Sequence, residues 1–390
     1  MKLKKIVGKI HLWLGLSSGL GVFIVAVTGC IYAFQEEIQD MTQPYRFVEP
    51  ETSPILPPTA IWEKADQAFP NKHLHAVLYP SPDRAAQAIY YSYEENYYYF
   101  VYVNPYSGEV LKIKDVYADF FRIVLDGHFY LWLPPEIGQP LVASFTLVFL
   151  IMLISGLILW WPRKKKNLSK SLKIKWKARW RRKNYDLHQV LGFYVMAFAA
   201  IFAITGLVWG FVWFRDAVFF VSSGGEDYVE YYTPLSDSTV TYQENVPPLD
   251  AVWMKMREMY PKAEWIEVHP PEFEHAAIAA NANPDASTYW KMDYRYFDQN
   301  TLEELPVDHI YNRFDEASLG DKVMRINYDL HVGAIAGLPG KILAFFLSAI
   351  IASLPITGFL IWWGRKKKNK GVNKKDNVAP PQVAELQPKA

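Results

Sequence analysis

Four apolar segments, at about residues 11–34, 139–161, 189–214 and 341–363, decide what this chain can fold into. Each is 23 to 26 residues long, enough for a helix to cross a hydrocarbon core of about 30 Å at about 1.5 Å per residue. None carries Asp, Glu, Lys or Arg in its middle, and Lys341 stands at an end. Helices that are apolar on every side must be covered by lipid or by one another. The composition agrees, because 51% hydrophobic and 16% aromatic residues are high for a soluble protein of 390 residues. The chain is read as a polytopic membrane protein in contact with membrane lipid.

Basic residues set the expected orientation. Lys2, Lys4, Lys5 and Lys9 precede the first span, twelve Lys/Arg fall between Arg163 and Lys183, and Arg365-Lys-Lys-Lys follows the fourth span. The positive-inside rule puts all three stretches, and therefore both termini, on the cytoplasmic side. That side then holds 24 Lys/Arg against 3 Asp/Glu, and the outer side 17 against 37, although the formal net charge is only +1. An acidic outer face favours neutral or cationic partners. No nucleic-acid partner is expected. The single cysteine, Cys30, allows no intrachain disulfide. Val27-Thr-Gly-Cys30 has the form of a lipoprotein cleavage box, but the apolar stretch is long for a signal peptide, so residues 1–34 are taken as a retained span.

The chain also repeats itself. His11-Leu-Trp-Leu-Gly15 with Thr28-Gly29, and His188-Gln-Val-Leu-Gly192 with Thr205-Gly206, stand at one fixed offset of 177 residues. Arg122-Ile-Val-Leu-Asp-Gly-His128 matches Arg325-Ile-Asn-Tyr-Asp-Leu-His331, and Ser155-Gly156 matches Thr357-Gly358. A long internal repeat means two halves. In each outer loop a short helix ended by proline (Thr59–Phe69 before Pro70, Leu249–Tyr260 before Pro261) precedes three strand-like runs. These runs are His73–Tyr79, Ala85–Tyr93 and Tyr97–Val103, then Glu264–His269, His275–Ala280 and Ser287–Phe297. One helix with a hairpin sheet is small and is expected to need support from its twin or from the spans.

The predicted fold class is thus membrane α+β: four transmembrane helices in a duplicated span–domain–span arrangement with two small α+β outer domains. In residues, the expected order is span 1–34, outer domain 35–118, surface helix 119–138, span 139–162 and basic loop 163–187. The second half then runs span 188–214, outer domain 215–315, surface helix 316–338, span 339–364 and a disordered tail 365–390.

Four of the nine histidines recur in register. His11 and His188 open spans one and three, which run in the same direction, so they lie at one depth near the inner face. His128 and His331 lie just before spans two and four and are level at the outer face. A lone histidine at a span end is ordinarily an interfacial polar residue. Four in matched pairs suggest two bis-histidine sites, the arrangement that binds a b-type haem iron through two neutral imidazoles. Gly15, Gly192 and Gly127 are placed to let a flat macrocycle approach, and Arg122 and Arg325 to meet its propionates. The Thr-Gly and Ser-Gly pairs are read as close helix packing. Asp126 and Asp329 stand two before their histidines, where orienting the imidazole or capping are equal readings. His73, His75, His269, His275 and His309 do not recur as a set and are read as domain surface or core.

These features together resemble the PepSY-associated transmembrane family over residues 1 to about 368. The resemblance is carried by the His-x-x-Leu-Gly openings, the Thr/Ser-Gly closings and the Trp-Trp-x-Arg exits at Trp160 and Trp362. It also rests on the loops ending in Asn104-Pro-Tyr-Ser-Gly-Glu-Val-Leu111. The second loop departs from that turn, since Asp298-Gln-Asn-Thr-Leu302 lacks the glycine. The family includes iron-regulated inner-membrane proteins and ferric-siderophore reductases. The resemblance therefore implies two haems b, on His11 with His188 near the cytosol and on His128 with His331 near the periplasm of a bacterial inner membrane.

On that reading the chain is a haem-dependent oxidoreductase that carries electrons to a ferric siderophore or other iron chelate. It needs no catalytic acid, base or nucleophile. The basic loop, about 25 residues, is too short to fold a flavin or nicotinamide domain. The donor must be a separate flavoprotein or ferredoxin, or membrane quinol. The alternative implied by the resemblance is a non-enzymatic anchored module whose outer domains restrain a protease or another periplasmic partner. A metal transporter would place ionisable groups near the middle of its spans, and these spans have none. Oligomeric state is left open by the sequence.

Overall fold

In the computed structural model the described residues are 2–162 and 164–375. Eleven α-helices form among them: α1 (Lys2–Tyr32), α2 (Gln35–Thr42), α3 (Pro58–Ala68), α4 (Phe120–Tyr130), α5 (Pro135–Trp160), α6 (Leu168–Ser171), α7 (Trp180–Gly210), α8 (Val212–Ser223), α9 (Pro248–Met259), α10 (Leu319–Val332) and α11 (Gly337–Lys375). Four stretches are long and apolar enough to cross a membrane: Leu3–Tyr32, Pro135–Trp160, Trp180–Gly210 and Ala334–Arg365. Their helices close into a ring in which α1 packs on α5 and α11, and α7 packs on the same two. Small residues let the backbones approach, as at Gly21, where a Cβ would lie 2.1 Å from the Phe145 ring.

Two boundaries differ from expectation. The third helix begins at Trp180 inside the expected basic loop, so His188 lies in its third turn and not at its start. The fourth helix continues to Lys375, so the described part of the tail is helical. The expected disorder beyond residue 375, and Arg163 of the basic loop, lie outside the described residues.

Beyond one end of the ring, the two outer units share a single antiparallel sheet. Its strands are β1 (Leu74–Tyr79), β2 (Ala86–Ser92), β3 (Tyr97–Val103), β4 (Val110–Asp115), β5 (Trp265–His269), β6 (Ile278–Asn283), β7 (Asp293–Phe297) and β8 (Glu304–Leu305). Their order is β4-β3-β2-β1-β5-β6-β7-β8. The halves join where β1 meets β5, with Val77 opposite Val268 and Leu78 opposite Glu267. Neither hairpin sheet is left with its inner edge unpaired, which answers the need for support from the twin. β4 and β8 were not foreseen.

Alternation gives the sheet two unlike faces. One carries Leu74, Val77, Val268 and Ile278, and with Ile61 of α3 and Met256 of α9 it forms the apolar core. Each such fully buried aliphatic side chain contributes about 1.5–3 kcal/mol. The buried carboxylate of Asp250, on α9, accepts the backbone N–H and the hydroxyl of Thr59 at the start of α3. It thereby caps one half's helix from the other. The opposite face carries Gln87, Tyr98, Tyr102, Glu267, His269 and Asn281 and turns toward the helix ends.

The turn that lacks glycine forms nonetheless. Gly108 has φ 74° and Leu302 φ 58°. In both turns this residue's N–H donates to the carbonyl four residues back, Asn104 or Asp298, at 2.9 Å. A leucine in the left-handed region costs about 1–2 kcal/mol. The Asp298 carboxylate offsets this by accepting the N–H groups of Asn300 and Thr301 at 2.7 and 2.9 Å.

Candidate functional site

α1 and α7 lie across the ring from each other, and their histidines meet there. The His11 and His188 ring centroids are 6.4 Å apart with the planes at 84°. At the other end, α4 and α10 each finish with a histidine in the last turn before the chain enters the next span. The His128 and His331 centroids are 6.0 Å apart with the planes at 75°. The sequence pairs by depth, and these are the pairs that face each other.

Each imidazole is held in the same way. His11 Nδ1 lies 2.8 Å from Ser155 Oγ, His188 Nδ1 2.9 Å from Thr357 Oγ1, and His331 Nδ1 2.8 Å from Thr205 Oγ1. His128 Nδ1 lies 3.2 Å from Thr28 Oγ1 and 2.9 Å from the Val25 carbonyl. A hydroxyl has one proton to give. All four hydroxyls give it to a carbonyl of their own helix, for Thr205 that of Ile201 at 2.7 Å and for Ser155 that of Met152 at 3.1 Å. With the proton so placed they accept from the ring, and Nδ1 then carries the hydrogen while Nε2 keeps its lone pair. The Val25 carbonyl, which can only accept, requires the same tautomer of His128. A histidine poised as a metal ligand needs this form.

The residue after each hydroxyl is glycine for a matching reason. A Cβ on Gly29, Gly156, Gly206 or Gly358 would lie 3.1 to 3.5 Å from the Cε1 atom of His128, His11, His331 or His188. The Thr/Ser-Gly pair is thus a histidine seat, where sequence reasoning saw only helix packing. Its signal was available: Thr28 and Thr205 stand at the 177-residue offset of His11 and His188, and Ser155 and Thr357 at 202 beside the 203 of His128 and His331.

Other expected contributors lie elsewhere. A Cβ at Gly15, Gly192 or Gly127 would meet Met152, Leu354 or Trp132, so each of these glycines makes room for a neighbouring side chain. Arg325 is buried and donates to the carbonyls of Ile310 and Asn312 at 2.6 Å, so its guanidinium holds a loop. Asp329 accepts the N–H groups of Tyr289 and Trp290, and Asp126 pairs with Arg122 at 3.0 Å. Neither aspartate orients a histidine. Arg122 lines the chamber beneath the sheet, which adjoins the cavity of the outer pair, and does not line that cavity itself. Among the domain histidines, His309 is a buried core residue. His75 and His269 come together across the β1–β5 seam, ring centroids 5.0 Å apart, beside Glu267.

Two imidazoles converge at each site and, among the described residues, no group of three or more His, Cys, Asp or Glu is placed to hold a bare ion. A divalent ion takes four or more ligands, so two imidazoles leave the remaining positions to water or to ligands that the metal carries with it, as in an iron macrocycle. Two metal–imidazole bonds of about 2 Å and the two ring radii require about 6 Å between centroids, which both pairs provide. Around the outer pair lies a cavity of 700 Å³ with walls such as Val25, Phe149, Phe202, Trp209 and Ile351, apolar enough for a macrocycle's faces. His128 and His331 stand outside the four spans. Burial holds both imidazoles below their ordinary range, His331 at about 3, which favours the uncharged rings.

The two sites are far apart. His11 and Thr28 belong to one helix and serve different sites, and their 17-residue separation corresponds to about 25 Å of helix.

No curated protein sequence matches the chain. A family profile does, that of the PepSY-associated TM region, over residues 9–365. With four spanning helices, duplicated outer units on one sheet, and that match over nearly its whole length, the chain is a multi-pass membrane protein and belongs to the PepSY-associated TM family.

Proposed function

We propose that the protein is a di-haem b transmembrane electron carrier that reduces an acceptor on the side of the sheet, a ferric siderophore or other iron chelate. The observation that carries this reading is the fourfold histidine seat, in which Nδ1 is occupied by a hydroxyl and Nε2 is left for iron. His11 with His188, and His128 with His331, would be the axial ligands. A b-type haem so ligated supplies reversible one-electron exchange with no group transfer. The chain's own contribution is position and environment. The hydroxyls fix the tautomer, the glycines admit the rings, and the apolar walls keep water from the outer pair. Sites at opposite ends of the ring suit transfer from one membrane face to the other.

Orientation follows from charge. The 24 Lys/Arg of the termini and the loop between spans two and three support a cytoplasmic placement in a bacterial inner membrane, with the sheet in the periplasm. An acidic flavoprotein or ferredoxin docking on that basic surface is the natural donor, and membrane quinol is the other.

The test is the absorption spectrum of detergent-purified protein, oxidised and dithionite-reduced, with the haem-to-protein ratio. Two haems per chain are expected. The pair His11→Ala with His188→Ala, and the pair His128→Ala with His331→Ala, should each remove one. A colourless protein after haem-supplemented expression would overturn the reading and leave an anchored binding module.

A further inference from the structure

Two asparagines of the second half stand where the first half has valine. Asn184 precedes His188 by four residues and Asn327 precedes His331 by four, about one helical turn. The matching places before His11 and His128 hold Val7 and Val124. Both asparagines are buried, and a buried amide has to find partners. Asn184 Nδ2 donates to the Thr357 carbonyl at 3.0 Å, and Asn327 Nδ2 to the Thr205 carbonyl at 3.1 Å. Thr357 and Thr205 are the residues whose hydroxyls seat His188 and His331. Two successive turns of each histidine helix are therefore tied to one residue of the seat, through the imidazole and through the amide.

A single bond leaves a hinge about which the histidine helix can roll, and a second bond one turn away removes it. The first half lacks that second bond at both of its histidines. Its seats are also looser. Ser155 has no methyl to restrict its side chain as Thr357 has, and His128 divides its N–H between Thr28 at 3.2 Å and the Val25 carbonyl at 2.9 Å. Packing alone does not require the amides, because valine fills the matching place in the first half and is buried there at Val124.

We propose that Asn184 and Asn327 are positioning residues that make His188 and His331 the permanent ligand of each pair and leave His11 and His128 exchangeable. A small neutral nitrogen ligand, such as free imidazole, would enter each site only on the first half's face, taking the iron position that His11 or His128 gives up. Each pair takes one histidine from each half, so both exchangeable faces belong to the same half. The proposal rests on the haem reading above and adds a direction to each site.

The test reads haem-to-protein ratio and spin state in the full-length chain purified in detergent. His11→Gly and His128→Gly should each keep both haems, the altered one high-spin until free imidazole restores the low-spin spectrum. His188→Gly and His331→Gly should each lose one haem. Adding Asn327→Val to His128→Gly should release the outer haem to excess apomyoglobin about tenfold more completely, and adding Asn184→Val to His11→Gly should do the same for the inner haem. An amide that only stabilised the fold would lower the melting temperature without deciding which histidine is dispensable. Two haems in the unmodified chain, with loss independent of which half's histidine is replaced or with retention indifferent to the asparagines, would overturn the proposal and leave the haem reading standing. A colourless unmodified chain would overturn that reading and the proposal with it.

Discussion

Thr205→Val is the most direct test of the histidine seat. Valine matches threonine in shape but offers no acceptor, so the 700 Å³ cavity keeps its walls while Nδ1 of His331 loses its 2.8 Å partner. Either the buried N–H stays unpaired, at a cost of about 1–3 kcal/mol, or the proton moves to Nε2 and blocks the ligand atom. Outer partners of metal-bound histidines are typically worth 10–100-fold in affinity, about 1.4–2.8 kcal/mol, so the two routes agree. The Phe202 carbonyl behind the ring can take up the proton in part, which puts the expected loss nearer tenfold.

The assay is the rate and extent of haem transfer from the purified protein to excess apomyoglobin, resolved by the spectra of the two sites. Thr205→Val should release the outer haem about ten times more completely at a fixed apomyoglobin ratio and leave the inner haem in place. Thr205→Ser, which restores the hydroxyl, should recover most of the difference. A Thr205→Val protein that holds its outer haem like the unmodified chain, while His331→Ala loses it, would refute the tautomer argument.

Two further outcomes concern the sheet. Burial pulls the His269 imidazole down, but the Glu267 carboxylate 3.4 Å away outweighs it and the net shift is upward from 6.5. Burial pushes Glu267 up, yet His269 and Asn281 hold it below 4.5. The raised histidine stabilises the fold fully below pH 6.5 and the lowered carboxyl fully above 4.5. Glu267→Gln should therefore lower the melting temperature most between these values and progressively less above them, and a loss undiminished at pH 9 would count against the pair. Asp250→Ala removes the acceptor of the Thr59 N–H and hydroxyl. It should cost about 1–3 kcal/mol, read as a lower melting temperature at unchanged haem content, and an unaltered melt would mean the halves do not depend on that cap.

Periodicity and repetition made the spans and the four histidines legible, because both are properties of position along the chain. Depth followed from span direction, which is why His11 could be matched with His188. What the sequence hid were contacts between helices. Gly15 follows His11 by one helical turn and looked like a neighbour of the ligand, but its partner is Met152 on α5. The glycines that touch imidazoles sit on other helices. Arg325 and Arg122 recur as a motif, yet packing pairs Arg122 with Asp126 at the sheet-side chamber and spends Arg325 on carbonyls. Nor does strand patterning say that β1 pairs with β5, since any strand with a free edge has the same donors and acceptors to offer.

The duplication has a chemical logic that neither half contains alone. Within a half, the histidine on the first span is seated by the second span, and the histidine just before the second span is seated by the first. Ser155 beside α5's end holds His11, and Thr28 of α1 holds His128; Thr357 of α11 holds His188, and Thr205 of α7 holds His331. Every seat is thus internal to one half. Every pair is not, because His11 needs His188 and His128 needs His331. One half folds two half-sites, at opposite ends of its hairpin of spans, and two halves related as the repeat relates them complete both at once. The β1–β5 seam and the Asp250 cap make the same join outside the ring. The geometry of each histidine pair is therefore set by the packing of one half on the other, while the tautomer of each histidine is set within its own half. A substitution at the seam should disturb both pairs together, whereas one at a seat should disturb a single pair.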